Sequence, residues 1–283
     1  LLTPRGQISK LFGYAFAKAA GQHSVEVHGV MTMPNHVHSV VTDPHGVIDR
    51  MYGDTHSLSA RSLNAHLSRW EAFWSSQGLS LVRLEGPQDV MDKLVYMTMN
   101  PVKAGLVERP ADWPGFKTPP RAVLHRPRVI KRPKTRFYAK SKLPEEVELE
   151  VTVPPQLAHL GKEEFVRQYE ERVKEEVEVL RAERKQKGKS VLGARAVSRL
   201  SIHDRPKNEE PRRQRDPQIA CKDKKRRIER LRELVLYRAR YRDAWTRRSA
   251  GEQNVLFPAG TLLLARHHGV LCERAPPMVH QAA

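Results

Sequence analysis

His36 and His38 form the one His-x-His pair among the thirteen histidines of the chain. On a β-strand, residues i and i+2 point to the same face, so this spacing presents two imidazoles side by side. Two neutral imidazoles converging from one face make half of a divalent-metal site. Taken alone, the pair reads more readily as two ordinary surface or core histidines. A second group of chemistry-bearing residues lies in Tyr96-Met97-Thr98-Met99-Asn100. Tyr96 and Asn100 stand at i and i+4, which on a helix sets phenol and amide one above the other. That places a nucleophile beside an oxygen donor, although a tyrosine on an amphipathic helix also serves as a packing residue.

The elements that must carry these residues can be read around them. Residues 24–31 alternate as a half-buried strand does, and residues 36–42 repeat the pattern after a Met-Pro-Asn turn. The histidines therefore fall on the second strand of a strand-turn-strand pair. Residues 7–20 carry apolar positions at helical spacing despite the interior Gly13. Residues 43–55 read as a loop, and residues 57–76, with Leu58, Leu63, Leu67, Trp70 and Trp74, as a helix capped by Ser57 or Ser59. Trp70 and Trp74, at i and i+4, are expected in the core rather than against nucleic-acid bases. Residues 79–84 predict a short strand. Val90, Leu94, Val95 and Met97 predict a helix over residues 88–100, which Pro101 is expected to end by disfavouring helical geometry at the residue before it. The order helix, strand, strand, helix, strand, helix predicts an α+β sandwich with helices on one face of a sheet. The chain begins Leu1-Leu2 without an initiator Met, so an opening strand is expected to be missing from it.

Charge divides the sequence unevenly. The net charge is +18, yet residues 1–116 hold ten Lys/Arg and ten Asp/Glu, whereas residues 117–283 hold forty against twenty-two. The excess implies a polyanionic partner and assigns it to the second half. Residues 117–142, with ten Lys/Arg, four prolines and no acid, predict an extended basic linker. Phe137 and Tyr138 within it are candidates for stacking on unpaired bases. Beyond it, residues 163–186 read as a mixed-charge helix, 204–217 as a polar loop, 222–248 as a strongly basic helix and 255–264 as strand-like. The expected domains are thus residues 1–116, the linker 117–142, and a basic, mainly helical extension over 143–283 that contacts nucleic acid.

Two cysteines, Cys221 and Cys272, with no CxxC spacing, encode neither a disulfide framework nor a thiolate zinc site. No stretch approaches the roughly 18 to 20 uncharged apolar residues of a membrane span, and the N-terminus lacks the pattern of a secretion signal. The expected location is the cytoplasm, at the nucleoid when bound to DNA, with no membrane partner.

Together the two motifs resemble the HUH endonucleases, named for His-hydrophobic-His, and specifically the single-tyrosine transposases of the REP-associated tyrosine transposase group. The resemblance rests on Met33-Pro34-Asn35-His36-Val37-His38-Ser39-Val40-Val41-Thr42 and on Tyr96-Met97-Thr98-Met99-Asn100-Pro101-Val102-Lys103-Ala104-Gly105-Leu106-Val107. Gly29-Val30-Met31, Arg69-Trp70-Glu71 and Asp112-Trp113-Pro114 add to it. It covers residues 1–116; Val191-Leu192-Gly193 and residues 257–261 are similar to extensions of some such transposases. The Arg-rich opening strand of the family is reduced to residues 1–5 at most, and Gly115 stands where an aromatic often follows Trp-Pro.

The resemblance implies a ferredoxin-like HUH endonuclease sandwich, with Tyr96 as catalytic nucleophile and His36, His38 and Asn100 as ligands of Mg2+ or Mn2+. It implies a transposase-type endonuclease that cleaves and rejoins single-stranded or hairpin DNA through a covalent 5′-phosphotyrosine. The alternative is a catalytically silent nucleic-acid-binding protein derived from such a transposase. Whether Tyr96 works with the histidines of its own chain or of a second copy stays open, so a homodimer is a candidate assembly.

Overall fold

The computed structural model describes residues 2–75, 79–201 and 218–273. The chain divides into two compact units, Leu1–Pro217 and Gln218–Ala283. Both mix helices with small sheets.

In the first unit, β1 (Glu26–Thr32) and β2 (Val37–Thr42) form an antiparallel hairpin in which Glu26 faces Thr42 and Thr32 faces Val37. A register shift between Val27 and Gly29 marks a bulge. The other edge of β1 is also bonded. Thr32 N–H donates to Phe116 O at 2.9 Å, Thr118 N–H to Val30 O at 3.0 Å and Thr152 N–H to Val27 O at 2.9 Å. Every residue of β1 after Glu26 is buried, as expected of a strand covered on both faces.

The cover on one face is α1 (Gly6–His23) and α2 (Ile48–Leu67), whose buried side chains form one cluster with Val27 and Val30. Met31 and Val40 join a second cluster built by α3 (Pro87–Lys103) and α4 (Gly161–Gln186). Helices therefore lie on both faces of the hairpin, not on one as the element order predicts. The sequence pattern reports which residues are apolar but not to which side of a strand a later helix returns.

Several expected boundaries move. The segment expected as a loop, residues 43–55, contributes the first turns of α2, which Asp43 secures by accepting the Ile48 N–H at 2.8 Å; Ser57 and Ser59 lie inside the helix. Met51, Tyr52, Thr55, Leu58, Ser62 and Leu63 give this earlier register its buried face. The helix ends at Leu67, where Ser68 takes a left-handed conformation, φ 52°, so Trp70 and Trp74 are not helical neighbours. Trp70 is 89% exposed, whereas Trp74 stacks on His56 at 4.4 Å and packs on Phe12. The short strand of residues 79–84 shrinks to β3 (Arg83–Leu84). Nor does α3 stop before Pro101. The proline sits buried in the last turn, where it removes one helical hydrogen bond while Val102 remains packed in the core.

The largest correction concerns residues 117–142. In place of an extended linker they form two 3-10 turns and β4 (Arg128–Lys131), paired antiparallel with β5 (Glu146–Leu149). Val123, Ile130 and Tyr138 are buried, and Tyr138 packs edge-on against Tyr14 with centroids 5.5 Å apart. Tyr138 is thus core, with Phe137 packed beside it, rather than a surface for bases. Lys117 donates to the Pro110, Ala111 and Trp113 carbonyls at 2.6 to 2.7 Å, and burial lowers its pKa to about 8. The boundary expected at residue 116 lies inside one compact unit that continues through α4 and the short α5 (Ala194–Arg199).

The second unit contains β6 (Ile219–Ala220) and the basic α6 (Lys224–Ser249), capped by Asp223 accepting from Lys225 N–H at 2.8 Å. The strand-like run 255–264 divides into β7 (Leu256–Phe257) and the start of α7 (Leu262–His268), and β7 pairs in parallel with β8 (Leu271–Cys272). Ala244, Val255, Phe257 and Val270 make its small core. Cys221 and Cys272 are free thiols. The loop expected over residues 204–217 lies outside the described residues. Among those described, no helix is long and apolar enough to cross a membrane.

Candidate functional site

β2 and α3 bring the two motifs together. His36 closes the hairpin turn, its carbonyl accepting Met33 N–H at 2.8 Å, and immediately precedes β2; His38 lies within the strand. Their rings are 4.7 Å apart, centroid to centroid, and nearly perpendicular at 80°. Asn35 Oδ1 lies 2.7 Å from His36 Nδ1 and orients that ring.

On α3, Asn100 donates from Nδ2 to His38 Nε2 at 2.8 Å. This bond fixes the tautomer, because Nε2 can accept only when the neutral ring carries its proton on Nδ1. Tyr96, one helical turn earlier, sets its ring edge-on to His38 with centroids 5.7 Å apart and remains 43% exposed. All four residues singled out in the sequence thus meet around His38, and Tyr96 is the most exposed of them. Burial, then the neighbouring His36 and Lys93, lower the His38 pKa to about 4. The imidazole is neutral around pH 7, the state in which it can donate a lone pair to a metal.

The close approach of α3 to β1 depends on Gly29. A Cβ there would stand 2.4 Å from Met97 Cε and 3.3 Å from Leu94 Cδ2, so the absent side chain makes room for the helix that carries Tyr96. The opposite face of α3 is lashed to α4. Tyr169 Oη lies 2.6 Å from Thr98 Oγ1 and donates to Leu94 O at 2.9 Å. Arg172 pairs with Asp92 at 2.6 Å, and Arg184 donates to Val102 O at 3.1 Å.

Two lysines also belong to the site. Lys93 Nζ lies 5.1 Å, and Lys103 Nζ 5.0 Å, from the Tyr96 ring centroid, so two ammonium groups flank the phenol. Lys103 also pairs with Glu176 of α4 at 2.6 Å. Lys93, at i−3 from Tyr96, is recoverable from helical spacing; Lys103, two turns on, less directly; Glu176 has no local signal. A helix face presenting a phenol, two flanking cations and an amide toward two imidazoles suits a negatively charged substrate.

Among the described residues no group of three or more His, Cys, Asp or Glu is arranged to hold a metal ion. Asn100, already in contact with His38, is placed to supply a third protein donor. The Asn100 carboxamide carries an oxygen as well as a nitrogen, so the same side chain, turned about its terminal bond, offers an oxygen donor. The residues present therefore fit a divalent ion with mixed nitrogen and oxygen ligation. Comparison of the chain with protein-family models, with curated proteins and with solved structures finds no match.

Proposed function

We propose that this chain is an HUH-type single-tyrosine nuclease and strand transferase acting on single-stranded, hairpin-forming DNA, with Tyr96 as nucleophile. The observation that carries the reading is the meeting of motifs 62 residues apart, with Asn100 Nδ2 2.8 Å from His38 Nε2 and the exposed Tyr96 phenol on the same helix face. The antiparallel hairpin of β1 and β2, with α1 and α2 packed together on one of its faces, is the part of the fold that supports a ferredoxin-like HUH sandwich.

In the proposed reaction the Tyr96 phenolate attacks phosphorus and the bond from phosphorus to the 3′-oxygen breaks. The departing oxygen takes up a proton to leave a 3′-hydroxyl, while the 5′-phosphate stays on Tyr96. Because one phosphodiester replaces another, the reverse attack by a 3′-hydroxyl rejoins the strand without an added energy source. Lys93 and Lys103 place positive charge where the phosphate must approach. His36, His38 and Asn100 would hold Mg2+ or Mn2+, whose charge, when bound, polarises the scissile phosphate.

The test is a trapping assay. A hairpin oligonucleotide labelled at its 3′ end, incubated with the full chain and Mn2+, is expected to leave label on the protein after denaturation, and Tyr96→Phe to leave none. A labelled Tyr96→Phe protein would show that the nucleophile is another group, and unlabelled parent protein would favour the silent DNA-binding alternative.

A further inference from the structure

We propose that the Tyr237, Tyr241 and Trp245 face of α6 is a stacking platform for single-stranded DNA. These residues recur every four positions and form one row along the helix. Tyr237 and Tyr241 lie 6.4 Å apart, centroid to centroid, with ring planes 25° from parallel; Tyr241 and Trp245 lie 6.5 Å apart and only 11° from parallel. Each interval is close to two nucleotide rises of about 3.4 Å, so successive rings match alternate bases of a stacked strand.

The row is braced at its centre and exposed at its Trp245 end. Tyr241 packs edge-on against Phe257 at 5.7 Å, which fixes its plane, and Trp245 is 48% exposed. Arg238 and Arg242 follow Tyr237 and Tyr241 by one residue and, with Val235, line the same surface groove. Arg238 holds Gln218 Oε1 at 2.7 Å and Arg242 donates to Arg238 O at 3.3 Å; among the described residues neither meets a carboxylate. Over its whole length α6 carries eleven Lys/Arg against three Asp/Glu. Flat π-faces at base spacing beside guanidinium groups that meet no carboxylate among the described residues are what a nucleic-acid single strand requires, whereas a duplex buries the faces of its bases. A protein partner for the exposed Val235 and Leu236 would have to contend with the same cations.

The platform stands on its own geometry; the choice of DNA over RNA rests on the reading of the Tyr96 site. The test is binding rather than cleavage, so the two readings can fail separately. Full-length protein carrying Tyr96→Phe is titrated against fluorescent oligo-dT, oligo-U and a duplex, each of about 20 nucleotides, over about 0.05 to 0.3 M salt. Trp245→Ala with Tyr237→Ala is expected to weaken oligo-dT binding about tenfold or more, with duplex binding and the salt slope unchanged. Trp245→Phe, which keeps a ring, is expected to stay within about threefold of the parent. Arg238→Gln with Arg242→Gln is expected to reduce the log-log salt slope by about 1.4, or roughly 0.7 per phosphate. Independently of any effect on folding, oligo-dT should quench more indole emission in the parent than in Trp245→Phe. Parental affinity in the alanine pair, an equal loss on duplex, or unchanged quenching in Trp245→Phe would overturn the platform. Tighter binding of oligo-U would overturn the assignment to DNA.

Discussion

His28, the extra residue of the bulge in β1, shows how far a single side chain can be committed to the fold. Its Nε2 meets Thr42 Oγ1 at 2.8 Å and its Nδ1 meets Thr152 O at 3.0 Å, tying β1 to β2 and to the segment after β5. Burial lowers its pKa to about 4, against an unfolded value of 6.5. The unfolded chain therefore binds the proton first as pH falls. The contribution is fully present above about pH 6.5 and is lost on descending toward pH 4, on the order of 3 kcal/mol in all. Thermal melting across that range is expected to steepen by this amount, and His28→Gln, which cannot titrate, to flatten that part of the profile. Equal pH slopes for the two proteins would show that His28 is already solvated in the native state. At this scale the sequence was informative about His36, His38, Tyr96 and Asn100, because period-2 and period-4 spacings are local. It was silent on Glu176 beside Lys103, because that ion pair joins residues brought together only by the return of the chain.

Among the elements, α1 explains a glycine that helix propensity disfavours. Replacing Gly13 by Ala in an isolated helix gains about 1 kcal/mol. Here a Cβ at Gly13 would lie 2.4 to 3.0 Å from the Phe116 ring, and that ring packs edge-on against Phe12 at 6.0 Å. A ring held this way yields less readily than the terminal methyl of Met97 near Gly29. Gly13→Ala is expected to destabilise by a net 1 kcal/mol or so, since overpacking costs roughly 1 to 3 kcal/mol, and Gly29→Ala by less. Denaturant titration of the two variants decides this, with the reverse order counting against the packing argument. The existence and type of α1, α2 and α3 were legible from apolar periodicity. Their ends were less so: α2 starts nine residues before Ser57 because Asp43 and a buried run beginning at Met51 outweigh the Gly53-Asp54 pair that resembles a loop. Pro101 lies within α3 because burial of its ring and of Val102 in the core offsets the one helical hydrogen bond that it removes.

For the whole molecule, composition misled where it was most uneven. Residues 117–142 are rich in Lys, Arg and Pro, yet the apolar side chains Val123, Ile130 and Tyr138 are buried while most of the Lys and Arg stay exposed. Average composition conceals such a pattern, and a short extended segment added to a core need not be hydrophobic overall. The consequence is testable by truncation. A chain ending at residue 116 loses the strands and helix that cover β1 and α3 and is expected not to melt cooperatively. One ending at residue 217 keeps the whole first compact unit and is expected to retain a cooperative transition and its His38 to Asn100 geometry. A cooperatively folded, cleaving fragment of residues 1–116 would show that α4 is dispensable to the site.

The bond between Thr98 and Tyr169, at 2.6 Å and wholly out of water, has a further consequence for how such a chain changes over generations. Loss of the Tyr169 hydroxyl leaves Thr98 Oγ1 facing an apolar interior, whereas loss of the Thr98 hydroxyl leaves the phenol its bond to Leu94 O, so substitutions at the two positions are coupled and the one at Tyr169 is the less readily tolerated alone. Seventy-one residues separate them, but they form a single unit of inheritance. The segment that bears Tyr169 therefore cannot be exchanged as a module without rewriting the helix that bears Tyr96.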